Sequence, residues 1–204
     1  AEAAMQIWNF AELGYQEYKS SALLQETLKE AGFTITSGVA GMPTAFIAEY
    51  GSGKPIIGIL GEYDALPGLS QAIVPEEKPI EACEPGHGCG HHLFGVGSAA
   101  AAIAVSEWLT KTKTTGTIRY YGTPAEEGGG GKTYMVKAGM FDDVDAVLHW
   151  HPSNNNSANA SSSLANKSAK FRFYGTSAHA AGAPWFGRSA LDGVESMNYM
   201  VNMM

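Results

Sequence analysis

Hydrophobic positions follow helical spacing in some segments of this chain and strand-like spacing in others. Leu23, Leu24, Leu28 and Ala31 fall on one face of a helix predicted over 17–31, which stops at Gly32. Two more helices are predicted at 91–109 and 132–138, and the first of these is apolar nearly all round. Apolar or β-branched runs predict strands at 33–37, 44–50, 55–61, 117–122 and 145–150.

This order of elements predicts an α/β fold, with a mostly parallel sheet and helices on both faces. The segment 66–86 has several prolines and little periodicity, which is typical of a long functional loop. Ser, Asn and Ala dominate 152–163, and this composition predicts a linker. Alternation at 168–174 predicts a strand, and a helix after Arg188 would cover it. We therefore expect a first domain over 1–163 and the incomplete start of a small α/β domain over 164–204.

Charge and composition narrow the classes of function. The chain has 13 basic and 20 acidic residues and a net charge of -7, which disfavours nucleic acid as a partner. The apolar run at 94–105 is shorter than the roughly 20 residues that span a bilayer, so no membrane partner is expected. Two cysteines and the absence of a basic leader predict a reducing, cytoplasmic location. Neither end has a helix start or stop signal, so we expect a fragment of a longer chain.

The strongest chemical signal is a Gly/His/Cys cluster at 86–92, GHGCGHH. Cys89 and His91 are two residues apart and can face one metal ion, because the interleaved glycines let the backbone bend. The alternative is a glycine-rich turn with a core histidine and an inert thiol. Three histidines and a cysteine within seven residues favour metal.

Two further clusters follow predicted strands. Glu126 and Glu127 precede four glycines, and neighbouring carboxylates in an extended segment point in opposite directions, so one can bind an ion while the other moves protons. A solvated acidic turn is the alternative. His149 and His151 share a side of the next strand, and His151, the last residue before Pro152, is the better candidate. Together the clusters predict metal-assisted hydrolysis.

These residues also resemble a known family. The segments GEYDALPGL (61–69), GHGCGH (86–91), PAEEGG (124–129) and WHP (150–152) are similar to the amidohydrolase branch of the aminoacylase and glutamate-carboxypeptidase type metallopeptidases. The likeness extends to AELGY at 11–15 and SAHAA at 177–181. It therefore covers essentially the whole chain, with its motifs in the family's order.

The resemblance implies a role for each matching residue. Cys89, His91, Glu127 and His151 match metal ligands, with Cys89 standing where other branches have a bridging Asp. Glu126 matches the general base, and Asp64 matches a carboxylate that orients a ligand. His179 matches a lid histidine that reaches the partner subunit's active site and stabilises the oxyanion; without the resemblance it is an ordinary surface histidine. His92 departs from the usual Asp or Asn and stays outside the ligand set. One more histidine ligand is expected beyond this sequence.

The function that the resemblance implies is hydrolysis of the amide bond of N-acyl or aroyl amino acids or dipeptides, such as aminobenzoyl-glutamate. It implies two divalent ions, zinc or manganese, and a homodimer formed through the lid domain. A different hypothesis is a non-catalytic metal-binding or regulatory subunit that works with a paralogous partner. A thiol redox role for Cys83 and Cys89 is weak, because five residues separate them and redox motifs have two.

Overall fold

The computed structural model describes residues 1–81, 84–158 and 161–204, which form two compact units, Ala1–Asn156 and Ser157–Met204. Four helices belong to the first unit: α1 (Glu2–Phe10), α2 (Tyr18–Glu30), α3 (His91–Thr112) and α4 (Gly131–Lys137). Its strands are β1 (Thr34–Ser37), β2 (Phe46–Ser52), β3 (Ile56–Gly61), β4 (Gly116–Gly122) and β5 (Ala146–Leu148). Cys83, one half of the redox alternative, lies outside the described residues.

The five strands form one sheet in the order β1-β2-β4-β3-β5. Strand β3 runs parallel to both β4 and β5, with Gly61 opposite Gly122 and Ile59 opposite Leu148. Strands β1 and β2 extend the other side by antiparallel pairing. Because β3, β4 and β5 are parallel, the residues that follow them emerge at one edge of the sheet.

Neighbouring residues of the central strands supply two separate hydrophobic cores. Ile59 and Tyr120 belong to the core that α2 and α3 cover, together with Leu24 and Leu28 of α2. Leu60 and Tyr121 point to the opposite face, where Met135 of α4 packs. The predicted α/β class with helices on both faces is confirmed. Of the strand pairings that the structure describes, two are parallel and two antiparallel, so the sheet is mixed and its parallel part is β3, β4 and β5.

Helix α3 is long and apolar enough, by length and composition, to cross a membrane. It nevertheless packs on β3 and β4 and buries Phe94, Ala99 and Ala102 within the first unit. This burial is the behaviour of a core helix. Its first turn carries His91, so the packing of α3 also fixes the position of that side chain.

The second unit contains a 3-10 turn at Pro184–Phe186 and helix α5 (Ala190–Asn202), whose first turn is capped by the Ser189 hydroxyl accepting from the Asp192 N–H. The strand predicted at 168–174 is wrong, because these residues pair with no strand among those that the structure describes. An isolated bridge joins Thr176 to Arg188 instead. Alternating side chains favour a strand only where another strand offers hydrogen bonds. The domain boundary predicted at 163 and the lid role stay predictions.

Candidate metal centre

The carboxyl ends of β3, β4 and β5 bring the three sequence clusters together. Glu62 and Asp64 follow β3, Glu126 and Glu127 follow β4, and His151 follows β5. The glycine-rich turn before α3 adds Cys89 and His91 to the same edge. The topology of the sheet therefore collects residues that are far apart in sequence.

Cys89, His91 and His151 form the first group of donors. The Sγ atom of Cys89 lies 3.3 Å from Nε2 of His151. Each of the three residues offers one ligand atom, and these atoms all lie within 4.8 Å of one another. This separation suits a single transition-metal ion with sulfur and nitrogen ligands.

His91 is fully buried, and a carboxylate lies close to each of its ring nitrogens. Its Nδ1 lies 2.8 Å from Oδ1 of Asp64, which holds the ring orientation and leaves Nε2 as the atom that faces the site. Nε2 lies 2.9 Å from Oε2 of Glu62. Burial disfavours the charged ring, but the carboxylates of Asp64 and Glu62, one beside each ring nitrogen, raise the pKa of His91 to about 10.

Three buried acceptor atoms converge here without a hydrogen-bond partner in the part of the chain that the structure describes: Oε2 of Glu62, Nε2 of His91 and Oε1 of Glu127. The charged ring, with a proton on each nitrogen, pairs with Glu62 across this 2.9 Å contact. In the neutral ring, which is the form that binds metal, the proton stays on Nδ1, and Nε2 and the Glu62 oxygen are two acceptors that face each other. A cation between them removes this conflict, since buried polar atoms are costly when unpaired. The donor set therefore fits a bound divalent metal.

Glu126 and Glu127 both reach this position. Oε2 of Glu126 and Oε1 of Glu127 each lie 3.9 Å from Nε2 of His91. The Glu127 N–H donates to Oδ2 of Asp64 at 2.9 Å, so Asp64 holds both a histidine and a glutamate of the site. Burial, followed by the negative charge of Glu62, raises the pKa of Glu126. A second group of donors within 4.8 Å consists of Glu62, His91 and Glu126.

Cys89 is half-buried, and its thiol is harder to ionise than usual. Burial and the carboxylate of Glu127 raise the pKa of Cys89 to about 12. A coordinating metal deprotonates such a thiol outright. The local environment therefore opposes a reactive free thiolate but is compatible with a metal ligand.

Two residues of this site were missed by the sequence analysis, Glu62 and Lys132. Glu62 is only 2% exposed, and the ammonium group of Lys132 donates to its Oε1. Although burial raises the pKa of Glu62, the adjacent His91 and Lys132 lower it to about 2. The sequence positions of these two residues could have indicated a place in the site, since Glu62 directly follows β3 and Lys132 directly follows the four glycines at 128–131.

Three further histidines were considered in the sequence analysis, and Nε2 of His149 lies 3.6 Å from Oε1 of Glu62. His179 belongs to the second unit, where its Nδ1 accepts from the N–H groups of Ala181 and Gly182. His92 is buried on α3 and packs edge-on against Trp8, with the ring centroids 4.8 Å apart. It is in neither group of candidate ligands.

Comparisons with known proteins agree on one family. The model of "Peptidase family M20/M25/M40" matches residues 58–188. The chain is 50% identical over its whole length to the B subunit of p-aminobenzoyl-glutamate hydrolase from Escherichia coli, of which it covers 42%. It is 34% identical over 202 residues to a human Xaa-Arg dipeptidase, with 91% of this chain and 42% of that protein covered.

A solved structure supports the same conclusion. A dinuclear metal-binding peptidase of family M20 from Bacillus subtilis matches with a TM-score of 0.64 and 25% identity, covering 74% of this chain and 42% of that one. The chain thus spans about two-fifths of the length of these relatives. The resemblance inferred from the motifs is confirmed, and the chain belongs to the M20/M25/M40 peptidase family.

Proposed function

We propose that the complete protein is a metal-dependent hydrolase that cleaves the amide bond of N-acyl or aroyl amino acids or dipeptides. The observation that carries this proposal is the convergence of buried, unpaired acceptors on Glu62, His91 and Glu127, next to Cys89 and His151. A cation is the partner that such a set of acceptors needs. Membership of a peptidase family makes hydrolysis the expected chemistry.

In this proposal Cys89, His91, Glu127 and His151 hold two divalent ions, zinc or manganese, and Glu62 is an additional donor. Divalent ions supply Lewis acidity, which polarises the scissile carbonyl and makes water a stronger nucleophile near neutral pH. The Bacillus subtilis relative, a dinuclear metal-binding peptidase, supports a site for two ions. Asp64 keeps the His91 ring oriented, and such supporting carboxylates are important to metal affinity.

Glu126 serves as the general base. Its side chain is 45% exposed, so it is open to the space in which substrate and water would sit. Burial and Glu62 raise its pKa, which brings the carboxylate closer to the proton affinity that a base needs. It takes a proton from the attacking water and delivers it to the leaving amine. His179 of a partner subunit donates to the developing oxyanion in the same scheme.

The substrate class follows from the relatives. Their names describe hydrolysis of p-aminobenzoyl-glutamate and of Xaa-Arg dipeptides. Both substrates have an amino acid on the amine side of the amide bond, and we propose the same for this protein. We also propose a cytoplasmic homodimer formed through the second unit, whose exposed Trp185, Phe186 and Tyr199 suit an interface.

A second candidate function is a non-catalytic subunit that binds metal beside a paralogous partner. The Escherichia coli relative is named as one subunit of a hydrolase, which favours considering this role. One experiment on the complete protein, purified alone, distinguishes the two functions. Metal content is measured together with product release from N-acyl amino acids, dipeptides and aminobenzoyl-glutamate. Turnover that chelation abolishes and metal restores supports the hydrolase, whereas bound metal without turnover supports the role of a non-catalytic subunit.

A further inference from the structure

Glu126 lies between two backbone N–H groups that are each held by a buried carboxylate. On one side, the N–H of Ala125 donates to Oε1 of Glu17 at 2.8 Å. On the other side, the N–H of Glu127 donates to Oδ2 of Asp64 at 2.9 Å. Asp64 has a place in the proposed function, but Glu17 has none so far.

Glu17 is completely buried, which is unusual for a carboxylate. Its second oxygen, Oε2, accepts from the hydroxyl of Thr44 at 3.0 Å. The carbonyl of Thr44 accepts in turn from the hydroxyls of Tyr63 and Ser21. Both oxygens of the carboxylate thus have partners, and the side chain connects the start of α2 with the loop that carries Glu126.

The backbone at Ala125 explains why this connection is needed. Ala125 has a φ of 56°, the left-handed region that a residue with a Cβ avoids, and a conformation of this kind persists only when its surroundings hold it. Gly14 packs so closely that a Cβ there would lie 2.9 Å from Cβ of Ala125. The hydroxyl of Tyr15 donates to the carbonyl of Gly129 at 2.7 Å. The segment 14–17 therefore holds the loop 125–129 in this shape.

We propose that Glu17 is a positioning residue, whose hydrogen bond to the Ala125 N–H holds the strained turn and so aims the Glu126 carboxylate at the metal centre. This inference rests on the proposed function, since it gives Glu126 the role of base. The carboxylate of Glu17 touches no reacting atom. Its effect on turnover arises because small displacements of a catalytic group are costly to the rate.

The competing explanation is that Glu17 contributes only to folding stability, or acts only through its negative charge. Three variants of the complete protein separate these roles. Glu17→Asp keeps the charge but withdraws the carboxylate by one methylene. Glu17→Gln keeps the length and an acceptor oxygen for Ala125 but removes the charge. Thr44→Val removes the other hydrogen bond of the same carboxylate and leaves the bond to Ala125 intact.

We expect Glu17→Asp to lower kcat by about tenfold or more, with KM and metal content unchanged, because the turn is no longer held. Glu17→Gln recovers a kcat close to wild type, and Thr44→Val keeps kcat while lowering the urea midpoint. Hydrogen exchange of a peptide spanning residues 123–128 gives a readout independent of turnover. Exchange there is faster in Glu17→Asp and unchanged in Thr44→Val.

Three results would overturn the inference while wild-type turnover is intact. The first is Glu17→Asp with wild-type kcat and exchange. The second is an equal loss of kcat in Glu17→Asp and Thr44→Val, which indicates a stability role. The third is loss in Glu17→Gln with activity kept in Glu17→Asp, which indicates a role of charge. If the wild type itself hydrolyses no amide, the proposed function fails, and the inference fails with it.

Discussion

Two adjacent carboxylates, Glu126 and Glu127, each have an oxygen 3.9 Å from Nε2 of His91, although Glu126 belongs to one of the two candidate donor groups and Glu127 to neither. They also differ in how far their side chains are exposed to solvent. The backbone of Glu127 is bound to buried Asp64 and its side chain is 21% exposed, whereas the Glu126 side chain is 45% exposed. A metal ligand is more effective when its side chain is held in place, whereas a general base has to move a proton between two partners. This contrast supports Glu127 as the ligand and Glu126 as the base.

Glu126→Gln tests this division of roles. We expect the variant to keep its metal while kcat falls by about two to four orders of magnitude, the usual contribution of general acid–base catalysis. Glu127→Gln is the matched control and should lose metal affinity, because it removes a charged ligand. Metal titration and kcat measured on both variants decide the matter. Loss of metal from Glu126→Gln with activity retained would contradict the assignment.

Alkylation of the Cys89 thiol tests whether this residue is a metal ligand. Without metal, burial and Glu127 raise the pKa of its thiol to about 12, so alkylation at neutral pH should be slow in any folded apo form. With metal bound, the thiolate is formed but shielded by the ion. Mild urea after chelation should therefore expose Cys89 to iodoacetamide, whereas the same urea concentration with metal present should leave it protected. Equal labelling in both states would argue against Cys89 as a ligand.

Four glycines at 128–131 directly follow Glu126 and Glu127, and the last of them begins α4. A Cβ on Gly131 would lie 2.1 Å from the carbonyl oxygen of Pro124, a backbone atom two residues before Glu126. A Cβ on Gly128 would meet nothing within 4 Å. Gly131→Ala should therefore destabilise the protein by about 1–3 kcal/mol, as overpacking does. Gly128→Ala should be close to neutral. Urea denaturation of the two variants, with metal content measured in parallel, checks this difference.

The positions of the first unit's strands along the chain, and the strand ends at which the candidate site lies, could be predicted from the sequence, because hydrophobic periodicity carries that information. The order of the strands and the antiparallel pairing of β1 and β2 could not. The roles of residues that depend on burial could not be predicted from the sequence. Glu17, Glu62 and Lys132 are charged, and without the fold their ordinary location is the surface. The strand predicted at 168–174 failed for a related reason, since pairing depends on a neighbour that alternation does not reveal. Sequence patterns indicate which secondary structure a segment favours, but the contacts of its side chains depend on the folded structure.

At the scale of the whole molecule, the predicted residues are divided between the two units. Cys89, Glu126 and His151 belong to the first unit, and His179 belongs to the second. The proposed homodimer would explain this division, because His179 of one subunit would complete the site of the other. One oxyanion donor typically contributes about two to three orders of magnitude to kcat. His179→Ala should therefore be nearly inactive while keeping its metal and its fold.

Complementation distinguishes a shared site from a site within one chain. Glu126→Gln and His179→Ala homodimers are each inactive in the proposed scheme, because every site lacks one group. A mixed dimer has one site with both substitutions and one site with neither, so mixing the two variants should restore turnover. A mixture of Glu126→Gln with Glu127→Gln is the control, since both changes affect the same unit and no intact site can form. No recovery in the first mixture, once subunit exchange has been demonstrated with tagged chains, would rule out the shared site and return His179 to the role of an ordinary surface histidine.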